Sequence, residues 1–389
     1  MDLLEVSPPD PALYAFLAEE GFGEDVFNRR QHRVCELLDR YAAQTAIGLV
    51  DGLGLAPGLA TPTTVAALAD VAGLVPGFRN TLSWLLELLA GAGAVVRDSA
   101  GRFRLTDDRP VSALGALRNA ILDADPSYAP SLALFDEAAA VYPRVARGET
   151  SGEHALFRRA ALWFAYFSNA NGYYAINNRV ASAAAAARLP LGARVVEVGA
   201  GLGSATEAFL ERLRATGDLP RLVTYRATEP VPLFRRRAER TLAAAWPEVP
   251  LAFAALDLNR PWSEQDVAPG TADLVWGVNV FHLARDLDAV LREARGALGP
   301  GGWLVVGEGL RPAPGVPVGV ELPFRLLESF TDVGLDPARR PTPGFLTAEQ
   351  WLDAVGRAGF ARPTLVPDAI GVRATYAGFF SAAICAQAG

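Results

Sequence analysis

The sequence predicts an α/β protein, with a doubly wound parallel sheet in the second half of the chain and a helical region in the first. Three observations predict it. From Ala193 onward, short apolar runs alternate with amphipathic stretches; from Val26 to about Arg97, apolar residues recur at helical spacing; and 51% of the 389 residues are hydrophobic, enough to bury more than one core.

The helical region reads in order. Past a short opening helix, Val26 to Gly54 is one long amphipathic helix, with Val34, Leu37, Leu38, Tyr41, Ala42, Ile47 and Leu49 near helical spacing. Thr61 to Leu74 opens with a capping Thr ahead of a short helix, and Phe78 to Arg97 gives another, closed by Gly91 and Gly93. VVRDSAGRFRLT then alternates about a Ser-Ala-Gly turn, the pattern of a hairpin or wing. Helices followed by a hairpin are a winged-helix arrangement. A DNA-reading helix would present Arg, Asn and Gln to base edges. This one carries Trp84, Leu85, Leu86, Leu88 and Leu89, with only Arg79 and Asn80 near its start. The expectation for residues 1–110 is therefore a dimerisation domain of a homodimer rather than a nucleic-acid reader, in keeping with a net charge of -7.

Residues 111–187 read as a helical connector that includes WFAYFSNANGYYAINNRVA, Trp163 to Ala181. Four Asn interleaved with aromatics are costly to bury without a purpose. Tyr166, Asn169, Tyr173, Tyr174 and Asn177 are accordingly expected to close over a ligand and orient a flat or carbonyl-bearing substrate. Residues 188–389 form the βα series: ARVVEVGA, RLVTYRATE, LAFAALDL, ADLVWGVNVF and GWLVVGEG as strands, separated by helical stretches. A last helix, FLTAEQWLDAVGRAGF, and two strands around RPTLVPD and TYAGFFSAAICAQA close the domain. Ligands on such sheets sit at the carboxyl ends of the strands near the topological switch.

The turn GAGLGS after the first strand carries Gly199, Gly201 and Gly203. A dinucleotide fingerprint needs its third glycine one place later, and a phosphate-binding loop needs a Gly-Lys-Ser/Thr that this chain, which has no Lys, does not contain. The run E-V-G-A-G-L-G behind a hydrophobic strand resembles motif I of class I S-adenosylmethionine-dependent methyltransferases. That resemblance implies a Rossmann-like sheet and S-adenosyl-L-methionine as cofactor. Glycines allow close backbone approach to its methionyl and ribose parts, and an acid at Glu197 suits a cationic ligand. On this resemblance Glu197, Gly199, Ala200, Gly201 and Gly203 line the cofactor. Glu229, followed by Pro230 at the end of the second strand, accepts from the ribose hydroxyls. Asp257 resembles the adenine-amino acceptor, Leu258 walls the ring, and Asn279 at the end of the fourth strand completes the set.

Transfer to an OH or a CH acid needs a base. Of the three histidines, His32 and His154 lie far from the strand ends, whereas His282 follows WGVNVF at the end of the fourth strand. The N-terminal half resembles small-molecule O-methyltransferases with a winged-helix dimerisation domain. NVFHLARDL, LGPGGWLVVGEG and GFLTAEQW resemble the C-methyltransferase domains of polyketide synthases, where a glutamate after the fifth strand partners the histidine; Glu308 stands there. The stretch Glu321 to Phe345 lies where this family often places a substrate wall, which makes Phe324 and Phe345 candidates. The expected reaction is methyl transfer to an enolisable carbon, or a phenol or enol oxygen, of a small biosynthetic intermediate.

No metal is expected, since no clustered His, Asp and Glu set is apparent. Two cysteines without ligand spacing, no signal-peptide pattern and no bilayer-length apolar window point to a cytoplasmic chain without membrane contact. Two other readings stay open: a pericyclase- or hydroxylase-like descendant that keeps the cofactor without transferring its methyl, and a winged-helix DNA-binding regulator.

Overall fold

The computed structural model describes residues 3–107 and 113–389; the expected boundary between residues 110 and 111 lies outside the described residues. The chain forms two compact units. One comprises Met1–Pro8, Arg29–Tyr166 and Gly315–Thr331, the other Pro9–Asn28, Phe167–Pro314 and Asp332–Gly389.

The first unit is helical. Helices Arg29–Gly52, Val65–Val71 and Arg79–Gly91 are followed by an antiparallel hairpin of β1 (Val95–Arg97) and β2 (Phe103–Leu105). The short helix starts at Thr64, not Thr61: the Thr64 hydroxyl accepts the Ala67 N–H at 3.3 Å. The third helix stops at Gly91 and Gly93 turns with φ +72°, as the two glycines predict, so Val95 begins the hairpin. Trp84, Leu85, Leu86 and Leu89 are buried inside this unit. One reason is the segment 315–331, which belongs to the same unit. Its buried ion pair Glu321–Arg325 places the guanidinium 5.0 Å above the Trp84 ring, Thr81 donates to the Arg325 carbonyl at 2.9 Å, and Tyr142 donates to Leu322 at 2.7 Å.

The second unit is built on a seven-stranded sheet of β3 (Ala193–Val198), β4 (Leu222–Thr228), β5 (Leu251–Ala254), β6 (Ala272–Val278), β7 (Leu298–Gly309), β8 (Phe360–Val366) and β9 (Ser381–Ala388). The order across the sheet is β5-β4-β3-β6-β7-β9-β8. The first five strands in chain order are parallel, as expected, and the chain reverses direction of travel between β3 and β6, which opens a crevice at their carboxyl ends. β9 departs from a purely parallel sheet: it runs antiparallel to both β7 and β8. The connection from β8 holds only the five-residue helix Ala369–Arg373, too short to carry the chain back along the sheet for another parallel strand.

Glu197 fastens the first strand to its surroundings. Its carboxyl Oε2 accepts from the Thr206 hydroxyl at 2.5 Å, on helix Ser204–Thr216, and from the Tyr225 phenol at 2.7 Å, on β4; Trp276 Nε1 of β6 donates to that phenol at 3.1 Å. The carboxyl is 1% exposed. Burial pushes its pKa up to about 7, against the two hydroxyl donors, with the charge of Glu229 adding to the rise. The folded state thus holds a proton there that the unfolded chain loses near the ordinary carboxyl value, so this group's contribution to stability falls as pH rises through that window. Replacing Glu197 by Gln is expected to flatten the decline between pH 4.5 and 7 by on the order of 2 kcal/mol. Denaturant melts of both proteins across that range check it; superimposable stability–pH curves would contradict the assignment.

Candidate active site at the carboxyl edge of the sheet

The turn after β3 has three left-handed glycines, Gly199 (φ +66°), Gly201 (φ +57°) and Gly203 (φ +86°). At Gly199 a Cβ would lie 2.4 Å from Val280 Cγ2, so only glycine lets the turn pass this close to the loop after β6. At Gly201 a Cβ would meet nothing nearer than the Gly199 carbonyl at 4.0 Å, so the backbone there fronts open space. Ala200, buried between them, donates its N–H to the Thr228 carbonyl at 2.8 Å, which pins the turn to the end of β4.

Glu229, just past β4, faces this turn. Its carboxyl accepts the Gly201 N–H at 3.0 Å and the Val231 N–H at 2.8 Å, and Arg235 donates to its carbonyl at 2.7 Å. Burial raises its pKa, opposed by the two backbone N–H groups and by Arg235. Pro230 beside it is exposed. Beyond the short β5, Asp257 is exposed and accepts the Asn259 N–H at 3.0 Å, and Gln265 holds its backbone with bonds of 2.8 and 2.9 Å. Leu258 is half-buried. Asn279 ends β6 in the left-handed region (φ +53°), a conformation Asn tolerates, and donates its N–H to Gly307 at 2.8 Å.

His282 sits on the one-turn helix Phe281–Leu283 after β6. The parallel register Val278↔Gly307 brings Glu308 of β7 level with the start of that loop. One carboxyl takes two bonds from one residue: Oε2 lies 2.7 Å from His282 Nδ1, and Oε1 accepts the His282 N–H at 3.2 Å. His282 is 4% exposed and Glu308 fully buried. The Phe345 ring stands edge-on to the imidazole, 4.9 Å between centroids. From the same segment Arg340 donates to the His282 carbonyl and, at 2.6 Å, to the Ala284 carbonyl.

The Asn-and-aromatic run divides. Tyr174 is hydrogen-bonded to the Ser204 side chain; burial raises its pKa well above the phenol range, and the charges of Glu197, Glu229 and Glu308 add to that. Its hydroxyl is thus within electrostatic reach of all three carboxyls. Tyr173 stacks on Phe380 with centroids 5.6 Å apart. The Asn residues work inside the unit. Asn169 donates to the Ser204 carbonyl at 2.8 Å and to Glu207 at 3.0 Å, and accepts from Asn178 at 2.9 Å; Asn177 donates to Asn279 at 2.8 Å and accepts from Ser381. Tyr166 and Phe324 belong to the helical unit, packed on each other with centroids 5.8 Å apart.

The second unit therefore brings together the glycine turn, Glu197, Glu229, Asn279, His282, Glu308, Tyr173, Tyr174, Asn169, Asn177 and Phe345, with Asp257 at its edge. Sequence reasoning missed Thr206, Tyr225 and Trp276 around Glu197, Ser204 against Tyr174, and Arg340. Arg340 lay within a stretch already singled out, but an Arg in a loop carries no sign of what it will be buried against. Among the described residues no three His, Cys, Asp or Glu side chains converge as metal ligands, and no helix is long and apolar enough to cross a membrane.

Residues 196–304 match the family model described as a methyltransferase domain. The chain is 28% identical over 322 residues to the polyketide synthase ThaQ of Burkholderia thailandensis, covering 76% of this chain and 14% of that protein. It is 39% identical over 127 residues to highly reducing polyketide synthase 2 of Gibberella zeae, covering 31% of this chain and 5% of that one. The chain thus spans only a small part of these relatives' length. Among solved structures, the CurJ carbon methyltransferase has the same fold, with a TM-score of 0.79 at 22% identity over 97% of this chain and 96% of that one. Together with the glycine turn at the sheet's switch point, the family match makes residues 196–304 an S-adenosylmethionine-dependent methyltransferase domain, in a chain that has the fold of the CurJ carbon methyltransferase.

Proposed function

We propose that the chain methylates an enolisable carbon of a small carbonyl-bearing intermediate, such as a polyketide, with His282 as base and Glu308 as its partner. The observation that carries this reading is the buried 2.7 Å contact between His282 Nδ1 and Glu308 Oε2 at the carboxyl ends of β6 and β7. The polyketide synthases among its relatives and the carbon methyltransferase among its structural neighbours support the acceptor class. Phenol or enol oxygen is the second acceptor the same base would serve.

The residues fit S-adenosyl-L-methionine. The open face at Gly201 admits the methionyl and ribose parts. The Glu229 carboxyl, already held by two N–H groups, keeps lone pairs for the ribose hydroxyls. Asp257 and Leu258 would hold the adenine, and Pro230 and Asn279 would complete the cofactor's lining. Glu197 supports the turn from behind rather than by contact with the ligand, since its Oε2 is held by Thr206 and Tyr225. Tyr173, Tyr174 and Phe345 wall the acceptor. Asn169 and Asn177 act at one remove, by fixing the helix start and the Asn279 turn; Tyr166 and Phe324 have no support from their place in the helical unit.

When bound, the cofactor supplies a methyl group on a sulfonium that one nucleophile can displace in line. The chain's part is to make the nucleophile. Glu308 accepts a hydrogen bond from Nδ1–H and fixes the ring, so that Nε2 takes the proton from the acceptor carbon. The electron pair of that C–H bond forms the new C–CH3 bond, the S–CH3 pair stays on sulfur, and the imidazolium returns its proton to water. Burial keeps water from competing with the acceptor for the base.

The base and its partner both belong to the second unit, so this proposal stands apart from the homodimer expected through residues 1–110. It does not favour a DNA reader: Arg79 is held by Asp70 at 2.9 Å. The pericyclase- or hydroxylase-like alternative predicts a product with no added methyl in its mass spectrum.

His282→Ala should lower methyl transfer to an enolisable β-dicarbonyl probe by about 10²–10⁴-fold with little change in S-adenosylhomocysteine affinity by calorimetry. Unchanged turnover would remove the base from the account. Glu229→Ala should weaken S-adenosylhomocysteine binding by roughly 10- to 100-fold, the loss of hydrogen bonds to a charged acceptor; wild-type affinity would exclude the ribose assignment.

A further inference from the structure

Arg340 is a buried cation with no carboxylate bound to it. It is 5% exposed, makes no ion pair within 4 Å among the described residues, and its Nε is buried without a hydrogen-bond partner. Its two other nitrogens serve the carbonyls of His282 and Ala284. Leaving a guanidinium in this state costs several kcal/mol unless a nearby opposite charge or a function compensates.

The segment that delivers it is built for the purpose. Asp336 and Arg340 exchange backbone bonds of 3.0 and 2.8 Å, and the Asp336 carboxyl accepts the N–H groups of Ala338 and Arg339, which closes a tight turn behind Arg340. On one side Gly334 donates to the Arg285 carbonyl at 2.7 Å, at a point where a Cβ would lie 2.6 Å from that oxygen. On the other, Arg311 holds the carbonyls of Pro343 and Phe345 at 3.2 and 2.8 Å. The carbonyls of 282, 284 and 285, which make up the loop carrying the base, are thus all held by this one segment.

We propose that Arg340 is a positioning residue for the base: it clamps the turn that carries His282 and sets a buried positive charge against that turn. This rests on His282 being the base. The groups around the pair leave the role to Arg340. Tyr174 approaches from helix Gly172–Ala186 as a neutral phenol, with Glu197 and Glu229 beyond it. Arg311, past β7, is bonded to carbonyls, and Arg285 on the base's own loop is exposed and paired with Asp332 at 2.9 Å. Burial lowers the Arg340 pKa to about 10, with the Glu308 charge acting against the fall, so the guanidinium is charged at neutral pH.

The chain has only three histidines, so the ring nitrogens of His282 can be assigned by ¹⁵N NMR of the full chain with S-adenosylhomocysteine, using His282→Ala as the blank. The wild-type neutral ring should carry its proton on Nδ1. In Arg340→Gln, which keeps a donor but loses the charge, the titration midpoint of the ring should move up by about one pH unit, because a neighbouring cation no longer opposes the imidazolium. Arg340→Lys, which keeps the charge, should stay near wild type. A wild-type neutral ring protonated on Nε2, or an unmoved midpoint in folded Arg340→Gln, would overturn the proposal. The tautomer is read on the wild type, so this holds even if a variant fails to fold. Failure of the base assignment shows separately, as methyl transfer that survives His282→Ala.

Discussion

A carboxylate held against an imidazole, both out of water, is the constraint around which the second unit is arranged. Such a pair is stable only if the carboxyl's remaining lone pairs are satisfied and the ring cannot rotate away. Glu308 meets the first condition by accepting the His282 backbone N–H as well as bonding the ring. Phe345 against the ring and the held carbonyls of the His282 loop meet the second. The pair in turn depends on β6 and β7 lying side by side and in parallel, because that register alone puts a strand residue level with a residue on the neighbouring loop.

The glycine turn is coupled to the same place. Gly199 lets Val280 approach, and Val280 lies two residues before the base, so the turn expected to receive the cofactor and the loop that carries the base pack directly on one another. Asn279 joins them to the Asn-rich helix through Asn177, and Ser381 of β9 anchors that Asn from the far side. Cofactor position and base position are therefore set by one set of contacts. This is the arrangement an in-line transfer requires, since small misalignment is costly in rate.

Much of this was legible in the sequence. The G-x-G-x-G spacing, the acid at the end of the second strand and a histidine just past the fourth are local patterns, and local patterns survive folding: Gly199, Glu229 and His282 lie at adjacent strand ends. The pairing of His282 with Glu308 was implied only by the resemblance to polyketide C-methyltransferase domains; the parallel register of β6 and β7 is what brings the two together. What could not be read depends on distant contacts. Nothing near Asn169 or Asn177 indicates that their amides will bond to Ser204, Asn279 and Ser381, so they were expected to face substrate. Phe324 belongs with the helical unit because Glu321 and Arg325, one turn apart, pair in its interior. The antiparallel β9 followed from the length of a connection whose helix proved to be only five residues long.

The most direct test of the central claim separates proton removal from methyl transfer. With S-adenosylhomocysteine in place of the methyl donor, the wild-type protein should catalyse exchange of the acidic C–H of an enolisable β-dicarbonyl probe with deuterated solvent, and the protein lacking the His282 imidazole should not. Exchange that persists without that imidazole, or a wild-type enzyme that transfers methyl yet catalyses no exchange, would contradict the account.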